Sequence, residues 1–383
     1  LVPSRLILVL VTTTLAAAPP GLHKDGDFWV DTTSGFEAMG QVDQLRVVAG
    51  GNVTVHGGNG AGVSYAVTRK VRARNQSEAR DRLQDAGVNF TRQGRNAMLI
   101  VDDVGGPVDL LVTVPRAVSR ITVGTSSGNI DAIDIGGALG AETAAGNISV
   151  KGVKGDAMIT TQGGNLDLTD IGGWVRGVTA AGDITAGLVG GDAQLETAGG
   201  NVTVQKIGGS ARLVTEGGNI HLGQAGGAVS ASTGGGTIEI GKAGGMVSVH
   251  NAGGGPILVG SSGGARCESA SGAIKVGSWN GMLRLSTASG SVVAQILGEK
   301  LLGDSYVSTN SGDITVYIPS NVGVTIRAQN EGGSRDQSIV SDFGTVQVRV
   351  SGGSAYATGA INGGGPLLRL EGTGERNRRE KRV

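Results

Sequence analysis

The chain has 383 residues with 32 basic and 32 acidic side chains, so no global charge draws it to nucleic acid or to an acidic lipid surface. Glycine supplies 71 residues and the aromatics only four Phe, four Tyr and three Trp, which excludes a globular enzyme core filled by large rings. The glycines have no three-residue period, which excludes collagen, and the regular Ile, Val and Leu exclude a disordered linker.

At the N-terminus, Arg5 precedes an apolar run from Leu6 to Leu15, followed by Ala16-Ala17-Ala18-Pro19-Pro20. Charge, short apolar stretch and small-residue end together predict a secretory signal peptide over 1–21. The run is shorter than the about 20 apolar residues of a spanning helix, and no other stretch is longer. The mature protein is therefore expected to be exported, without a transmembrane segment, to the periplasm, the cell surface or the exterior. Position 1 is not Met, so the extreme N-terminus is expected to be truncated, and the absence of a Cys after the run speaks against lipid anchoring. Residues 36–120 read as a β-rich N-terminal cap with strands near 44–48, 52–56, 63–72, 98–101 and 108–114. One helix interrupts them over 77–86, opened by Asn75 with Glu78 three residues on.

From 121 to 316 the chain repeats. A Gly, one residue that is usually Asn or Asp, then Ile, Val or Leu recurs at Gly128, Gly146, Gly164, Gly182, Gly200, Gly218 and Gly236, and continues less regularly at Gly255, Gly272, Gly290 and Gly312. A second glycine marker falls half-way, as at Gly155, Gly173, Gly191 and Gly209. The unit is a nine-residue strand-and-turn taken twice, which predicts an all-β parallel β-helix with 18-residue, two-strand coils. Two and four residues after the marker stand apolar columns (Ile130, Ile148, Leu166, Ile184; Ala132, Val150, Leu168, Ala186), with polar residues such as Asp131, Ser149 and Asp167 between them. That alternation is a half-buried strand. The opposite strand ends in a column of Thr125, Thr143, Thr161, Thr179, Thr197 and their successors, preceded by a column of smaller inward residues: Ala141, Ile159, Gly177 and Leu195. One large wall against one small wall would fill a narrow core with few aromatics. The corner glycines supply backbone freedom where side chains would clash. Asn129, Asn147, Asn165, Asp183, Asn201 and Asn219 are expected to stack as a turn ladder. Residues 317–371 read as a C-terminal strand cap ending in a strand at 367–370, and the basic run from Arg376 to Arg382 places a disordered tail over 372–383.

The chain resembles the bacterial putative-adhesin family of unknown function, whose members carry Gly-Asn/Asp-Ile β-solenoid repeats. The likeness spans about 40–371 and rests on Val114-Pro115-Arg116 leading into Ile121-Thr122-Val123, on Ser126-Ser127-Gly128-Asn129-Ile130, on Tyr317-Ile318-Pro319 and on Ala360-Ile361-Asn362-Gly363-Gly364-Gly365. It departs after Thr373-Gly374, where the charged tail replaces a further repeat-type strand. The resemblance implies the solenoid and a surface role, and brings no active site with it.

The residues themselves assign no catalytic, cofactor-binding or metal site. The Asp column required for calcium stacking is broken, since Asp167 is followed by Thr185, Thr203 and His221. The Gly-x-Ser-x-Gly matches at Gly124/Ser126/Gly128 and Gly260/Ser262/Gly264 lack the strand-to-helix turn of a nucleophile. Gly57-Gly58-Asn59-Gly60-Ala61-Gly62 has the wrong spacing for a dinucleotide loop. His23, His56, His221 and His250 share no ligand spacing, Cys267 and Trp279 fall on inward positions, and Trp174 falls outward. Arg176, Arg212, Arg266 and Arg284 share one outward column with Gln194, beside Glu142, Glu196 and Glu268 in the next; the plain reading is surface charge pairing. The expected function is a non-enzymatic adhesin or surface-interaction scaffold, with no cofactor, whose partner is a polysaccharide or protein surface ligand and not nucleic acid. The alternatives are a structural envelope protein whose partner is itself, assembling end to end, and a polysaccharide-active β-helix enzyme.

Overall fold

The computed structural model describes residues 21–84, 87–279, 281–296, 303–331 and 339–373; the expected signal peptide lies almost wholly outside them, as does the basic tail from 374. It is a β-solenoid of about 11 turns with coils of roughly 18 residues. Each coil gives one strand to a marker sheet, which follows the Gly-Asn corner, and one to a threonine sheet, which ends in the Thr column. Successive strands pair in parallel and in register: Ile148 lies beside Ile130 and Leu166, and Ala193 beside Val175 and Ala211. The eleven marker strands from Ile130–Ile135 to Ile314–Tyr317, with Asn52–Gly58 and Val108–Pro115, make a parallel stack roughly 60 Å long at about 4.8 Å per strand.

The inward columns also complement one another coil by coil. Gly177 lies between large leucines, since a Cβ there would stand 3.0 Å from Leu195 and 3.3 and 3.4 Å from Leu166 and Leu168. Where the marker strand carries the small Ala186, the facing sheet supplies Leu195, also buried. Within the expected division, a marker wall rich in Ile, Val and Leu against a threonine wall rich in Ala, this local complementarity keeps interior density with small side chains. Cys267 is a fully buried filler, and Trp279 is buried in the column of Ile171, Ile207 and Ala225, between Ser262 and Ile296.

The corners explain the glycine period, for a different reason from the expected backbone freedom. The marker glycines from Gly128 to Gly290 keep ordinary backbone angles, but a Cβ on Gly164 would stand 2.0 Å from the carbonyl oxygen of Gly146, and one on Gly200 2.1 Å from that of Gly182. Coils stack so closely at this corner that only hydrogen fits. Two ladders satisfy the polar groups there. Thr143 Oγ1 donates to Gly128 O at 2.8 Å and accepts from Gly146 N at 3.3 Å, and the same pair recurs at Thr161, Thr179, Thr197 and Thr215. The expected Asn ladder is present: the side-chain oxygen of each member accepts the backbone N–H of the next, from Asn129 through Asn147, Asn165, Asp183, Asn201 and Asn219 to Thr237 N.

Both ends are stacked out of chain order. Strands Gln44–Ala49 and Asn52–Gly58, expected to lie over the end of the solenoid, form a full coil inside it. Gln44–Ala49 pairs with both Arg120–Thr125 and Asn96–Val101; Asn52–Gly58 pairs with both Ile130–Ile135 and Val108–Pro115. Asn52 belongs to the ladder, accepting from Asn129 N at 2.9 Å and donating to Asp109 at 2.8 Å. At the other end, Leu367–Thr373 lies between Ser305–Thr309 and Val324–Glu331. Antiparallel strands finish the N-terminal edge of the marker sheet, with Phe28–Ala38 and Gly62–Val71 beyond Val108–Pro115, and the C-terminal edge of the threonine sheet, with Ser354–Ile361 and Gln347–Ser351 beyond Val324–Glu331. The long strand Phe28–Ala38 is absent from the sequence reading, and the helix spans Gln76–Gln84, close to the expected 77–86. Asn75 Oδ1 accepts Glu78 N at 2.9 Å, and the Glu78 carboxylate accepts Arg74 N at 3.0 Å, a capping box reaching one residue further back.

Candidate functional site

With the core filled, chemistry is confined to the outward columns and corners. The threonine sheet carries the longest charged column. In register across neighbouring strands it runs Arg176, Gln194, Arg212, Ser230, Ser248, Arg266, Arg284, then Tyr306, Arg369 and Arg327. The parallel ladder places these side chains on one face at about 4.8 Å intervals. The adjacent column holds Glu196, Glu268, Ser286, Ser308, Glu371 and Gln329. Part of the expected charge pairing is formed: Glu268 accepts two bonds from Arg266 at 2.9 and 2.7 Å, Arg212 lies 3.6 Å from Glu196, and Arg369 pairs with Glu371. Arg284, Arg327 and Arg349 enter none of the ion pairs among the described residues, and all three are exposed.

Two tyrosines are set among them. Tyr306 is half-buried between Arg284 and Arg369; its hydroxyl donates to Glu371 at 2.5 Å, and the Arg369 guanidinium lies 6.0 Å from its ring centre. The hydrogen bond to Glu371 raises the Tyr306 pKa above its ordinary value, and the same bond holds the Glu371 carboxyl below its own. Tyr356 pairs in register with Gln329 and Arg349 and is 41% exposed. Sequence reasoning stopped at Arg284. Tyr306 was within its reach, standing three residues before Thr309 as Arg284 stands before Thr287. Arg369 and Arg327 were not, because they join the column only through the out-of-order strand Leu367–Thr373.

A second feature is a groove of about 850 Å³ along the marker-sheet corner, lined by Arg116, Asp134, Lys154, Asp170, Leu188 and Lys206. Asp134, Gly152 and Asp170 take positive φ angles of 59°, 73° and 57°, and each is skipped by the strand ladder. In the next coil the unpaired position shifts to Gly187, and Leu188 rejoins the ladder with a 49% exposed side chain. The groove lies along the corner where the bulge moves by one residue. Arg116 bridges it to the end strands, donating to Asn59 at 2.8 Å and to Asp134 at 3.2 Å.

The remaining singled-out residues do not converge. Ser126 donates to Gly50 O at 3.2 Å in a corner, and Ser262 is buried at the end of strand Ile257–Ser262, with a strand rather than a helix following it. His221 lies 3.1 Å from Glu239 and His250 3.8 Å from Glu268, as exposed pairs on opposite sheets. Burial pushes the Cys267 thiol up to about 12, which removes it as a nucleophile. Trp174 is 41% exposed beside the Gly173 corner, its backbone N–H held by Asp156. Among the described residues no three His, Cys, Asp or Glu side chains gather in a metal-binding arrangement, and no helix is long and apolar enough to cross a membrane.

No protein-family model and no curated protein matches the sequence. Among solved structures the chain is similar to a putative cell adhesion protein from Clostridium sporogenes, at 7% identity over 90% of this chain and 95% of that one, with a TM-score of 0.21. It is similar also to a putative adhesin from Bacteroides fragilis, at 11% identity over 75% and 97%, with a TM-score of 0.19. A third is a putative lipid binding protein from Parabacteroides distasonis, at 11% identity over 76% and 95%, with a TM-score of 0.21. Overlaps this loose bear on no residue of the surface described above.

Proposed function

We propose that this chain is an exported, non-enzymatic rod of the bacterial putative-adhesin type, which binds a polysaccharide or protein on a surface through its outward columns. Export follows from the signal-peptide pattern over 1–21, and the basic run from Arg376 to Arg382 is read as a tail beyond the last strand, which takes in Gly372 and Thr373 of the expected tail over 372–383. The observation that carries the reading is the straight registration of outward side chains over successive coils, seen in the column from Arg176 to Arg284. A repeated row gives individually weak contacts to an extended partner, and their sum grows with the number engaged at once. The same row holds no acid and base poised around a shared reacting atom, and its one tuned pair, Tyr306 and Glu371, is satisfied internally.

The test is a binding screen of the mature chain against bacterial and plant polysaccharides, peptidoglycan, matrix proteins and intact cells, with light scattering alongside. Saturable binding by a monodisperse monomer is expected. Concentration-dependent assembly with no binding would replace this reading with end-to-end self-association. One feature favours that second reading: Ile314, Val316 and Ile318 at the last marker strand are only half-buried and line a hollow of about 530 Å³ with Phe343 and Ile326. A strand edge with no further partner among the described residues, beside apolar side chains, is a template for a second chain.

A further inference from the structure

We infer that the C-terminal third of the threonine sheet is a docking strip for an acidic polysaccharide whose carboxylates are read by Arg284, Arg327 and Arg349 and whose rings lie against Tyr306 and Tyr356. The inference rests on the binding-rod reading and adds the place and the ligand chemistry. Strands from Gly264–Ser269 through Leu283–Thr287, Ser305–Thr309, Leu367–Thr373 and Val324–Glu331 place Arg266, Arg284, Tyr306, Arg369 and Arg327 side by side, so the strip runs for about 20 Å at 4.8 Å per strand. Four of these five consecutive positions are arginine. Elsewhere the same column is interrupted by Gln194, Ser230 and Ser248.

The partner's chemistry follows from what the strip leaves unmet. Arg266 and Arg369 are neutralised by Glu268 and Glu371, which hold them upright. Arg284, Arg327 and Arg349 are exposed and outside every ion pair among the described residues, and a guanidinium takes a carboxylate by two parallel hydrogen bonds. Tyr306 cannot turn away, since its hydroxyl is tied to Glu371, so its ring stays fixed between two arginines. An aromatic face beside a cation suits an apolar sugar face that carries an acidic substituent. Ser286 and Ser308, linked at 3.2 Å in the neighbouring column, offer hydroxyls to ring oxygens. The interleaved Glu268 and Glu371 oppose a nucleic acid, whose phosphates are densely spaced, and tolerate a chain with one carboxylate per sugar. A flat, straight row fits a linear partner better than a membrane, into which none of these side chains would insert.

The experiment titrates the full chain with an oligogalacturonate long enough to span the strip, with its methyl ester, with a DNA oligonucleotide, with phosphatidylserine vesicles and with intact cells. Two double variants accompany the native chain: Arg284→Ala with Arg327→Ala inside the strip, and, outside it, Lys206→Ala with Lys242→Ala, two exposed cations of the marker sheet. Tyr306→Leu is a third variant, and melting curves check that each folds. The oligogalacturonate is expected to bind and its ester not to. The inner double variant is expected to lose about tenfold or more in affinity, the outer one to keep it, and Tyr306→Leu to weaken it several-fold. Equal losses from the two double variants, equal binding of the ester, or stronger binding of DNA or vesicles would each overturn the inference. Cell or glycan binding that survives the inner double variant would overturn the strip alone and leave the rod reading in place. No binding to any probe would remove both.

Discussion

The corner threonines from Thr125 to Thr233 each serve two coils at once. Thr197 Oγ1 donates to Gly182 O at 2.8 Å and accepts Gly200 N at 3.2 Å, so one hydroxyl satisfies a carbonyl of the coil above and an amide of its own. Thr197→Val preserves the shape and removes both bonds, and is expected to cost about 1–3 kcal/mol, while Thr197→Ser costs less than about 1 kcal/mol. The chain itself points to the hydroxyl rather than the methyl: Ser269 accepts Gly272 N at 2.8 Å in the same column, and Asn251 spans Gly236 O and Gly255 O with one amide. A midpoint for Thr197→Val equal to that of the native chain in denaturant melts would refute this account. The positive φ of Asp170 leads to the opposite sign. Asp170→Gly is expected to stabilise by about 0.5–1 kcal/mol, because glycine holds φ near 57° without a Cβ penalty. Loss of stability on that change would show that the aspartate side chain holds the bulge.

At the scale of the strand, the link between Tyr306 on Ser305–Thr309 and Glu371 on Leu367–Thr373 makes C-terminal docking pH-dependent. The Glu371 pKa is lowered in the fold, so its contribution is complete above the unfolded carboxylate value and disappears as pH falls through the folded one. The Tyr306 pKa is raised, so its contribution is complete below the unfolded phenol value and disappears as pH rises through the folded one. Protection of the 367–373 amides, corrected for the intrinsic exchange rate at each pH, is expected to be greatest between those limits. Glu371→Gln should bring the Tyr306 ultraviolet titration back towards that of free tyrosine; an unchanged titration would mean that the pair is not formed in solution. The strands themselves divide by how much the sequence disclosed. Coils between Ile130 and Thr287 were legible because each strand meets a similarly patterned neighbour 17 to 19 residues away, so the inward and outward positions repeat in phase. Phe28–Ala38 was not, because Asp31-Thr32-Thr33-Ser34-Gly35 shows no apolar alternation, and its buried contacts are polar: Arg69 meets Asp31 at 2.7 Å and Thr33 at 3.0 Å. Gly35 lies opposite Tyr65, whose ring fills the space where a Cβ would sit, a contact with no local pattern. The arginine column was legible as far as the repeat and its continuation at Tyr306, whereas its Arg369–Arg327 part depends on which distant strand lies next.

For the whole molecule, interchangeable coils between fixed ends allow the rod to change length. Removing 184–201 deletes one 18-residue coil and joins Asp183 to Val202 with both ladders in phase. That chain is expected to fold cooperatively, with a circular dichroism spectrum per residue close to the native one. Removing only 184–192 sends a threonine-sheet strand into the marker sheet, and is expected to give an aggregating or partly folded product. Melts in which the two deletions behave alike would mean that the corners tolerate loss of phase.

The intercalated strand at the C-terminal end sets how the rod answers a pull. A strand at a sheet edge peels one hydrogen bond at a time, as a zipper opens. Leu367–Thr373 is gripped on both sides, by Ser305–Thr309 and by Val324–Glu331, both parallel to it. Traction on the chain leaving its far end loads two rows of bonds in shear together, so they yield at one high force or not at all. At the opposite end His23–Asp25 is an edge strand held by a single antiparallel neighbour, and a pull there starts a progressive unravelling. A tether fixed through the C-terminal end would hold its load where the same tether at the N-terminal end would let it slip.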